Sequence, residues 1–272
     1  MRTPARRPEV LSSQDADGAP AALDHLGRPV DCGGCAYANL RAEGRCQLGR
    51  SCVQDRYARR ILRFFETNPG AANGALSHAH FEVRAVAARF ADAFRLPPLL
   101  ADPDETVRWA AARRLPMRHL LPLRQDPHRE VRIRVAHRLE GQDLAAMMRD
   151  EDYYVRLIVA RRLPPALVVQ MIGDPDDLVR REVAGRIAPV HLPRFARDPC
   201  AEVRLAAALR MNPRQLELLG GDDDWRVRLE VATRAAKEIA RTLLTDPDEM
   251  VAAAARTRAS APVFQLLQQE DP

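Results

Sequence analysis

The chain has 272 residues, of which 46% are apolar and only 5% aromatic, so Leu, Val and Ala must build most of its core. A formal charge of +5 allows an acidic-protein or nucleic-acid partner without requiring one. Lys237 is the single lysine, which excludes lysine-based chemistry elsewhere, and no apolar run is long enough for a transmembrane helix.

The N-terminal segment, residues 1–30, is rich in Ala, Pro, Arg and Asp and has no periodic apolar positions. We therefore predict that it is disordered. It also lacks the continuous apolar stretch of a secretory signal. We accordingly expect a cytoplasmic protein with no membrane partner.

Four cysteines crowd the next segment with the spacing C-x₂-C-x₁₀-C-x₅-C. They are Cys32, Cys35, Cys46 and Cys52. In a chain without an export signal, this crowding favours metal ligation over disulfides. Gly33 and Gly34 would let the backbone fold tightly around a bound centre and expose N–H groups to it. The spacing alone leaves an iron–sulphur cluster and a zinc ion as alternatives.

Residues 53–66 place apolar side chains at helical spacing and predict one amphipathic helix, which Asn68, Pro69 and Gly70 end. This helix and the cysteines form a predicted metal-cluster domain, residues 31–77. Because the ends of a repeat array need covering, we expect the helix to cover the first repeat.

From His78 onward the sequence repeats every 24 residues, and eight units fill residues 78–269. Each unit after the first opens with Asp, usually followed by Pro, and has Val five residues after the Asp. These aspartates are Asp102, Asp126, Asp150, Asp174, Asp198, Asp222 and Asp246. Cys200 lies in a variable first-turn position and is interpreted as a free thiol.

One unit, residues 102–125, shows the predicted local structure. Asp102 is predicted to be the helix N-cap, Pro103 the first helical residue, and Pro116 the point beyond which the helix cannot continue. A short second segment follows, of α- or 3₁₀-helix. Since no stretch alternates with period two, we predict an all-α solenoid in which each repeat packs on its neighbours.

Arginine recurs at two positions of the unit. The first arginine column follows the Val and consists of Arg84, Arg108, Arg132, Arg156, Arg180, Arg204 and Arg228. The second arginine column consists of Arg114, Arg138, Arg162, Arg186, Arg210, Arg234 and Arg258. The first column is a candidate binding stripe for phosphates or an acidic partner. The alternative, favoured by the near balance of acidic and basic residues across the repeats, is pairing with carboxylates or with helix C-terminal carbonyls.

The unit D-P-x-x-x-V-R-x-x-A-A-x-R-L-P resembles the leucine-rich repeat variant family, and the Cys-rich segment resembles that of its iron–sulphur members from nitrogen-fixing bacteria. The resemblance covers about residues 32–269. It implies alternating α- and 3₁₀-helices in two parallel layers, wound as a right-handed solenoid. It also implies a [4Fe–4S] cluster at the N-terminal cysteines. Asp-Glu at 150, Asp-Asp at 222 and Ala252 depart from the unit and weaken single caps only.

The sequence contains no phosphate-binding glycine loop and none of the common hydrolase motifs. We therefore expect a non-enzymatic binding scaffold with an N-terminal [4Fe–4S] cluster that could respond to redox state. Its partner would be a protein or a nucleic acid, and no small-molecule substrate is evident. An electron-transfer component and a zinc-stabilised structural scaffold are the alternative functions.

Overall fold

The computed structural model describes residues 22–261, and within them the chain is all-α, as predicted, with two isolated bridges in place of strands. These residues fall in two compact units, which divide between Val135 and Ala136. The division lies inside the repeats, so the cysteine segment shares a unit with the first repeats. None of the helices in this described part is long and apolar enough to cross a membrane.

The α-helices are named in chain order. In the first unit they are α1 (Ala38–Ala42), α2 (Ala58–Thr67), α3 (Phe81–Ala87), α4 (Glu105–Ala112) and α5 (Arg129–Ala136), which ends at the first residue of the second unit. In the second unit they are α6 (Gly141–Ala145), α7 (Tyr153–Arg162), α8 (Pro165–Val168), α9 (Asp177–Arg186), α10 (Ala201–Ala208), α11 (Trp225–Arg234), α12 (Lys237–Thr242) and α13 (Glu249–Ser260).

Each of the first seven repeats pairs one of the longer helices with a short second segment. That segment is 3₁₀-helical in the repeats that open at 78, 102, 174 and 198, as predicted. The 3₁₀ segments are Ala93–Arg95, Pro97–Ala101, Met117–His119, Leu121–Gln125, Pro189–Phe195 and Gln215–Leu219. The repeats at 126, 150 and 222 have short α-helices there instead, namely α6, α8 and α12, and in the repeat at 150 a 3₁₀ turn, Val169–Met171, follows α8.

The core of the repeats includes two columns of small and branched side chains, beside buried Leu, Ile and Met side chains. The Val column and the Ala column are no more than 1% exposed. They are Val83, Val107, Val131, Val155, Val179, Val203, Val227 and Val251, with Ala88, Ala112, Ala136, Ala160, Ala184, Ala208 and Ala232. Each buried Val contributes about 1.5–3 kcal/mol of transfer free energy. The alanines leave room for adjacent repeat helices to pack closely.

The helix N-cap is not the predicted residue. Helix α4 begins at Glu105, and its N-cap is Asp104, whose carboxylate accepts the Thr106 N–H at 2.9 Å. The Asp102 carboxylate instead accepts the Asp104 N–H at 2.9 Å and pairs with Arg84. The Asp-Pro pair therefore forms a turn that precedes the helix, because the Asp carboxylate is bound by an arginine of the preceding repeat. The third residue of the unit also caps at Asp152, Asp176, Asp224 and Asp248.

Helix α2 is shorter at its start than the predicted 53–66 helix. The carboxylate of Asp55 accepts the Tyr57 N–H at 3.0 Å and pairs with Arg60 at 2.9 Å, which holds the preceding residues in a turn. The helix ends at Thr67, and Asn68 is its C-cap, as predicted; Asn68 Nδ2 donates to the Phe64 carbonyl. Helix α2 packs on α3 and so covers the first repeat, in agreement with the sequence.

Part of the N-terminal segment that was predicted to be disordered is folded. Residues 22–30, assigned from sequence to the disordered segment, form a hydrogen-bonded turn with a bridge between Leu23 and Pro29. Asp24 closes this turn by accepting the N–H groups of Leu26 and Arg28. The rest of the predicted disordered segment, and residues 262–269 of the eighth repeat, lie outside the described residues.

Candidate metal centre

The four cysteines lie on successive turns of the segment before α2. The Cys35 N–H donates to the Cys32 carbonyl, and the Cys46 N–H to the Leu40 carbonyl at 3.1 Å. The Cys52 N–H donates to the Arg60 carbonyl at 3.3 Å, which ties the last cysteine to α2. All four are free thiols. Cys46 and Cys52 are buried, whereas Cys32 and Cys35 are half-buried.

Gly33 does not play its predicted role in full. Its N–H donates to the Asp31 carboxylate at 2.8 Å. A Cβ on Gly33 would meet the same carboxylate oxygen at 3.2 Å, so a larger residue there requires the Asp31 side chain to shift.

Burial controls the electrostatics of the two inner thiols. It raises the pKa of Cys46, and the neighbouring Cys35 and Cys32 raise it further, while a hydrogen bond with Cys52 lowers it. Burial raises the pKa of Cys52 to about 12. Since the thiolate is the ligand form, a metal that binds here has to displace these protons.

The donor set fits a cluster that is ligated only by cysteine. Cys46 and Cys52 belong to one buried cluster, and Cys35 packs against it. Within residues 22–261, no three Cys, His, Asp or Glu side chains are arranged around one common ion position. A [4Fe–4S] cluster binds each cysteine through a different iron, so its ligands surround a volume and do not meet at one point.

Tyr37 supports the site, and the sequence analysis missed it. Its N–H donates to Cys35 Sγ at 3.5 Å, and its hydroxyl donates to the Ala71 carbonyl at 3.2 Å. Its ring packs edge-on against Phe64, with 5.3 Å between centroids. Tyr37 thus links the first cysteine turn to α2. The only feature of the sequence that points to Tyr37 is its position two residues after Cys35. Tyr37 does not belong to any repeated pattern that would mark it as a supporting residue.

The first arginine column joins neighbouring repeats, which corrects its interpretation as a binding stripe. In six of these arginines, Nε and Nη2 bind both carboxylate oxygens of the Asp that opens the next repeat, at 2.6–3.0 Å. Their side chains are only 10–13% exposed. The pairs are Arg84–Asp102, Arg108–Asp126, Arg156–Asp174, Arg180–Asp198, Arg204–Asp222 and Arg228–Asp246.

The remaining donor of each arginine is also occupied. Arg132 Nη1 donates to the Asp126 carbonyl at 2.8 Å, and Arg156 Nη1 donates to the Asp150 carbonyl at 2.8 Å. Arg132 is itself only 5% exposed. Nη1 of every arginine in this column thus donates to a backbone carbonyl, so the column is used in the packing of the repeats.

The second arginine column caps helices. Arg162 Nη1 donates to the carbonyls of Ala136 and Leu139, both at 2.7 Å, where α5 ends. Arg234 binds the Ala208 carbonyl at 2.9 Å and the Met211 carbonyl at 2.6 Å, beyond the end of α10. Six arginines of this column thus satisfy carbonyls at the C-terminal end of the helix in the preceding repeat, where a positive charge also favours the helix dipole.

Comparison with known proteins identifies the repeats. A solved structure described as a leucine-rich repeat variant with a novel repetitive protein structural motif is 40% identical to this chain, with a TM-score of 0.77. The similarity covers 84% of this chain and 98% of that one. The chain belongs to the leucine-rich repeat variant family. Residues 153–176 also match the family model described as leucine rich repeat variant, which confirms the predicted resemblance.

The cysteine segment of this leucine-rich repeat variant has a match of its own. Residues 22–74 match the family model described as LRV protein FeS4 cluster, a range that includes all four cysteines. A relative from Rhodobacter capsulatus, the uncharacterized 27.7 kDa protein in the nifB 3′ region, is 52% identical over 97 residues. That match spans 36% of this chain and 40% of the relative. The relative's name agrees with the resemblance to proteins of nitrogen-fixing bacteria.

Proposed function

We propose that this leucine-rich repeat variant is a non-enzymatic binding scaffold whose Cys32, Cys35, Cys46 and Cys52 hold a [4Fe–4S] cluster. The observation that carries the cluster assignment is the match of residues 22–74 to the FeS4 family model, because this range contains all four cysteines and none of them is in a disulfide. When bound, such a cluster supplies one-electron redox chemistry and a covalent tie between its ligands.

The chain's own residues position the ligands. Cys52 is held by α2 through its hydrogen bond to the Arg60 carbonyl, and Tyr37 orients Cys35 through a backbone N–H. An N–H that donates to a ligating sulphur tunes the redox potential of a cluster. Because α2 packs on α3, a change in the cysteine turns can reach the first repeat through these contacts. This connection is the basis for a scaffold that responds to redox state.

Anaerobic purification of the full chain tests the cluster. We expect a brown protein with about four irons and four sulphides per chain. Single Cys→Ser substitutions at Cys32, Cys35, Cys46 and Cys52 should each lower the iron content, whereas Cys200→Ser, in the second unit, should leave it unchanged. Colourless protein that contains one zinc per chain would reject the cluster and establish the zinc-stabilised alternative.

The scaffold role rests on the repeats. Their two arginine columns are used in ion pairs and helix caps, so these recurring charged groups are structural. Repeated helices present an extended surface, which repeat proteins use for binding. We propose a protein or nucleic acid as the partner and the cytoplasm as the compartment, where thiols stay reduced. Hydrolase or transferase activity found in the purified chain would contradict the non-enzymatic assignment.

A further inference from the structure

A groove in the first unit differs from the rest of the repeat surface. It is lined by one face of α2, α3 and α4 and has a volume of about 310 Å³. Its floor is apolar and consists of Leu62, Ala85, Val86, Trp109 and Ala110. Ala85, Val86 and Ala110 are buried, while Leu62 and Trp109 are half-buried and present aliphatic and indole surface to the groove.

Three exposed arginines surround this floor, namely Arg59, Arg89 and Arg113. Within residues 22–261, none of them has a carboxylate at ion-pair distance. Glu82 is the one acidic residue that lines the groove, so positive charge is in excess by three to one. These arginines therefore differ from both structural columns, whose donors are occupied by carboxylates and carbonyls.

The tryptophan argues against a nucleic acid. A base-stacking site needs an aromatic ring with an open face. The Arg134 guanidinium lies over the Trp109 ring at 4.6 Å from the centroid, and Arg113 lies at 5.9 Å. The rest of the floor is aliphatic. The groove thus suits aliphatic side chains inside and carboxylates around them, which is the pattern of an acidic amphipathic helix.

We propose that this groove binds an acidic amphipathic segment of a partner protein. The inference rests on the proposed scaffold role and names its partner class, but it does not depend on the cluster. Apolar side chains of the partner would occupy the floor, and its carboxylates would meet Arg59, Arg89 and Arg113. A volume near the lower end of the roughly 300–1,000 Å³ range of ligand pockets accommodates a few anchoring side chains.

Fluorescence anisotropy with the purified full chain tests this. The probe is a fluorescein-labelled peptide of about four helical turns, with leucines on one face and glutamates on the other. Three comparison probes share its length. They are a scrambled sequence, a version with lysine in place of glutamate, and oligo(dT). We expect saturable binding of the acidic amphipathic peptide only.

The variant R59Q/R89Q/R113Q should bind the acidic peptide about tenfold more weakly, because each exposed charge contributes a modest amount. The matched control, R118Q/R197Q/R214Q, removes three exposed arginines elsewhere and should bind as the wild type does. In a W225F background, Trp109 is the only tryptophan, and its emission should shift on peptide binding. This fluorescence signal locates the peptide without any change to the groove.

Equal affinity in the two triple variants, tighter binding of oligo(dT), or unchanged Trp109 emission would each overturn the groove assignment. Iron and sulphide are measured on the same preparations. Iron-free protein that still binds the peptide would refute the proposed cluster and leave the groove standing. Protein that contains iron and sulphide but does not bind the peptide would refute the groove assignment and leave the proposed cluster standing.

Discussion

The ion pair between Arg156 and Asp174 allows us to predict how much unfolding free energy is lost when the arginine is replaced. Its Nε and Nη2 bind the two carboxylate oxygens of Asp174 at 2.8 and 3.0 Å, and its Nη1 donates to the Asp150 carbonyl. The two side chains are 10% and 4% exposed. Arg156→Met keeps most of the aliphatic volume but leaves the Asp174 carboxylate buried with only a backbone N–H from Asp176 at 3.0 Å.

The expected loss follows from this burial. Breaking a buried ion pair from one side costs about 3–5 kcal/mol, and we expect the lower end because Asp174 keeps one hydrogen bond. The matched control lies on the same helix. Arg161 also pairs with a carboxylate, that of Glu182 at 3.1 Å, but its side chain is 48% exposed. Arg161→Met should therefore cost about 1 kcal/mol or less.

Urea unfolding of the full chain, followed by circular dichroism, measures both variants. The double variant Arg156→Met/Asp174→Asn removes the stranded charge and should recover about 1–2 kcal/mol. A loss for Arg156→Met within experimental error of that for Arg161→Met would refute the claim that the first arginine column holds the repeats together. Failure of Asp174→Asn to recover stability would refute the stranded-charge explanation.

Three further outcomes are expected. Cys200 is an N-cap with no side-chain cap bond, so Cys200→Ser should stabilise the chain by about 0.5–1 kcal/mol in urea, and an unchanged midpoint would contradict this. Hydrogen bonds from Arg228 lower the pKa of Asp246, so the stability that this carboxylate contributes is present above its unfolded pKa and is lost as pH falls through the folded one. The difference in melting temperature between wild type and Asp246→Asn should therefore shrink below about pH 4, and an equal difference at pH 7 and pH 3 would count against the pair. Gly141 has φ of +54°, so Gly141→Ala should cost about 1–2 kcal/mol, whereas Gly185→Ala, on α9 with open space around it, should stabilise by about 0.5–1 kcal/mol.

The repeat architecture is predictable from the sequence because each unit buries the same positions. Val107 and Ala112 recur every 24 residues, and both columns are buried wherever the structure describes them. The helix ends are less predictable. Asp102 and Asp104 are both suitable N-cap residues. Only the packing of neighbouring repeats shows that Asp102 pairs with Arg84, which leaves Asp104 to cap the helix. Local capping preferences contain no information about a partner eighteen residues away.

The metal-binding role of the cysteine segment can be predicted from the sequence, but the burial of each cysteine cannot. The spacing of the four cysteines indicates a metal centre, but it does not distinguish the buried Cys46 and Cys52 from the half-buried Cys32 and Cys35. That distinction depends on α2, which packs beneath the last two. The turn at residues 22–30 was missed for a related reason, since Asp24 stabilises it through hydrogen bonds that a composition average cannot detect.

All but one of the 42 basic residues are arginine, and in the two arginine columns this choice has a structural explanation. In the first column one guanidinium binds two carboxylate oxygens and a backbone carbonyl together, which needs a planar fork with several donors. A lysine ammonium cannot reproduce this geometry. The same fork caps two carbonyls in the second column. Arg59, Arg89 and Arg113 have neither kind of partner, so packing of the repeats does not account for them, and their charge is directed to the groove of α2, α3 and α4.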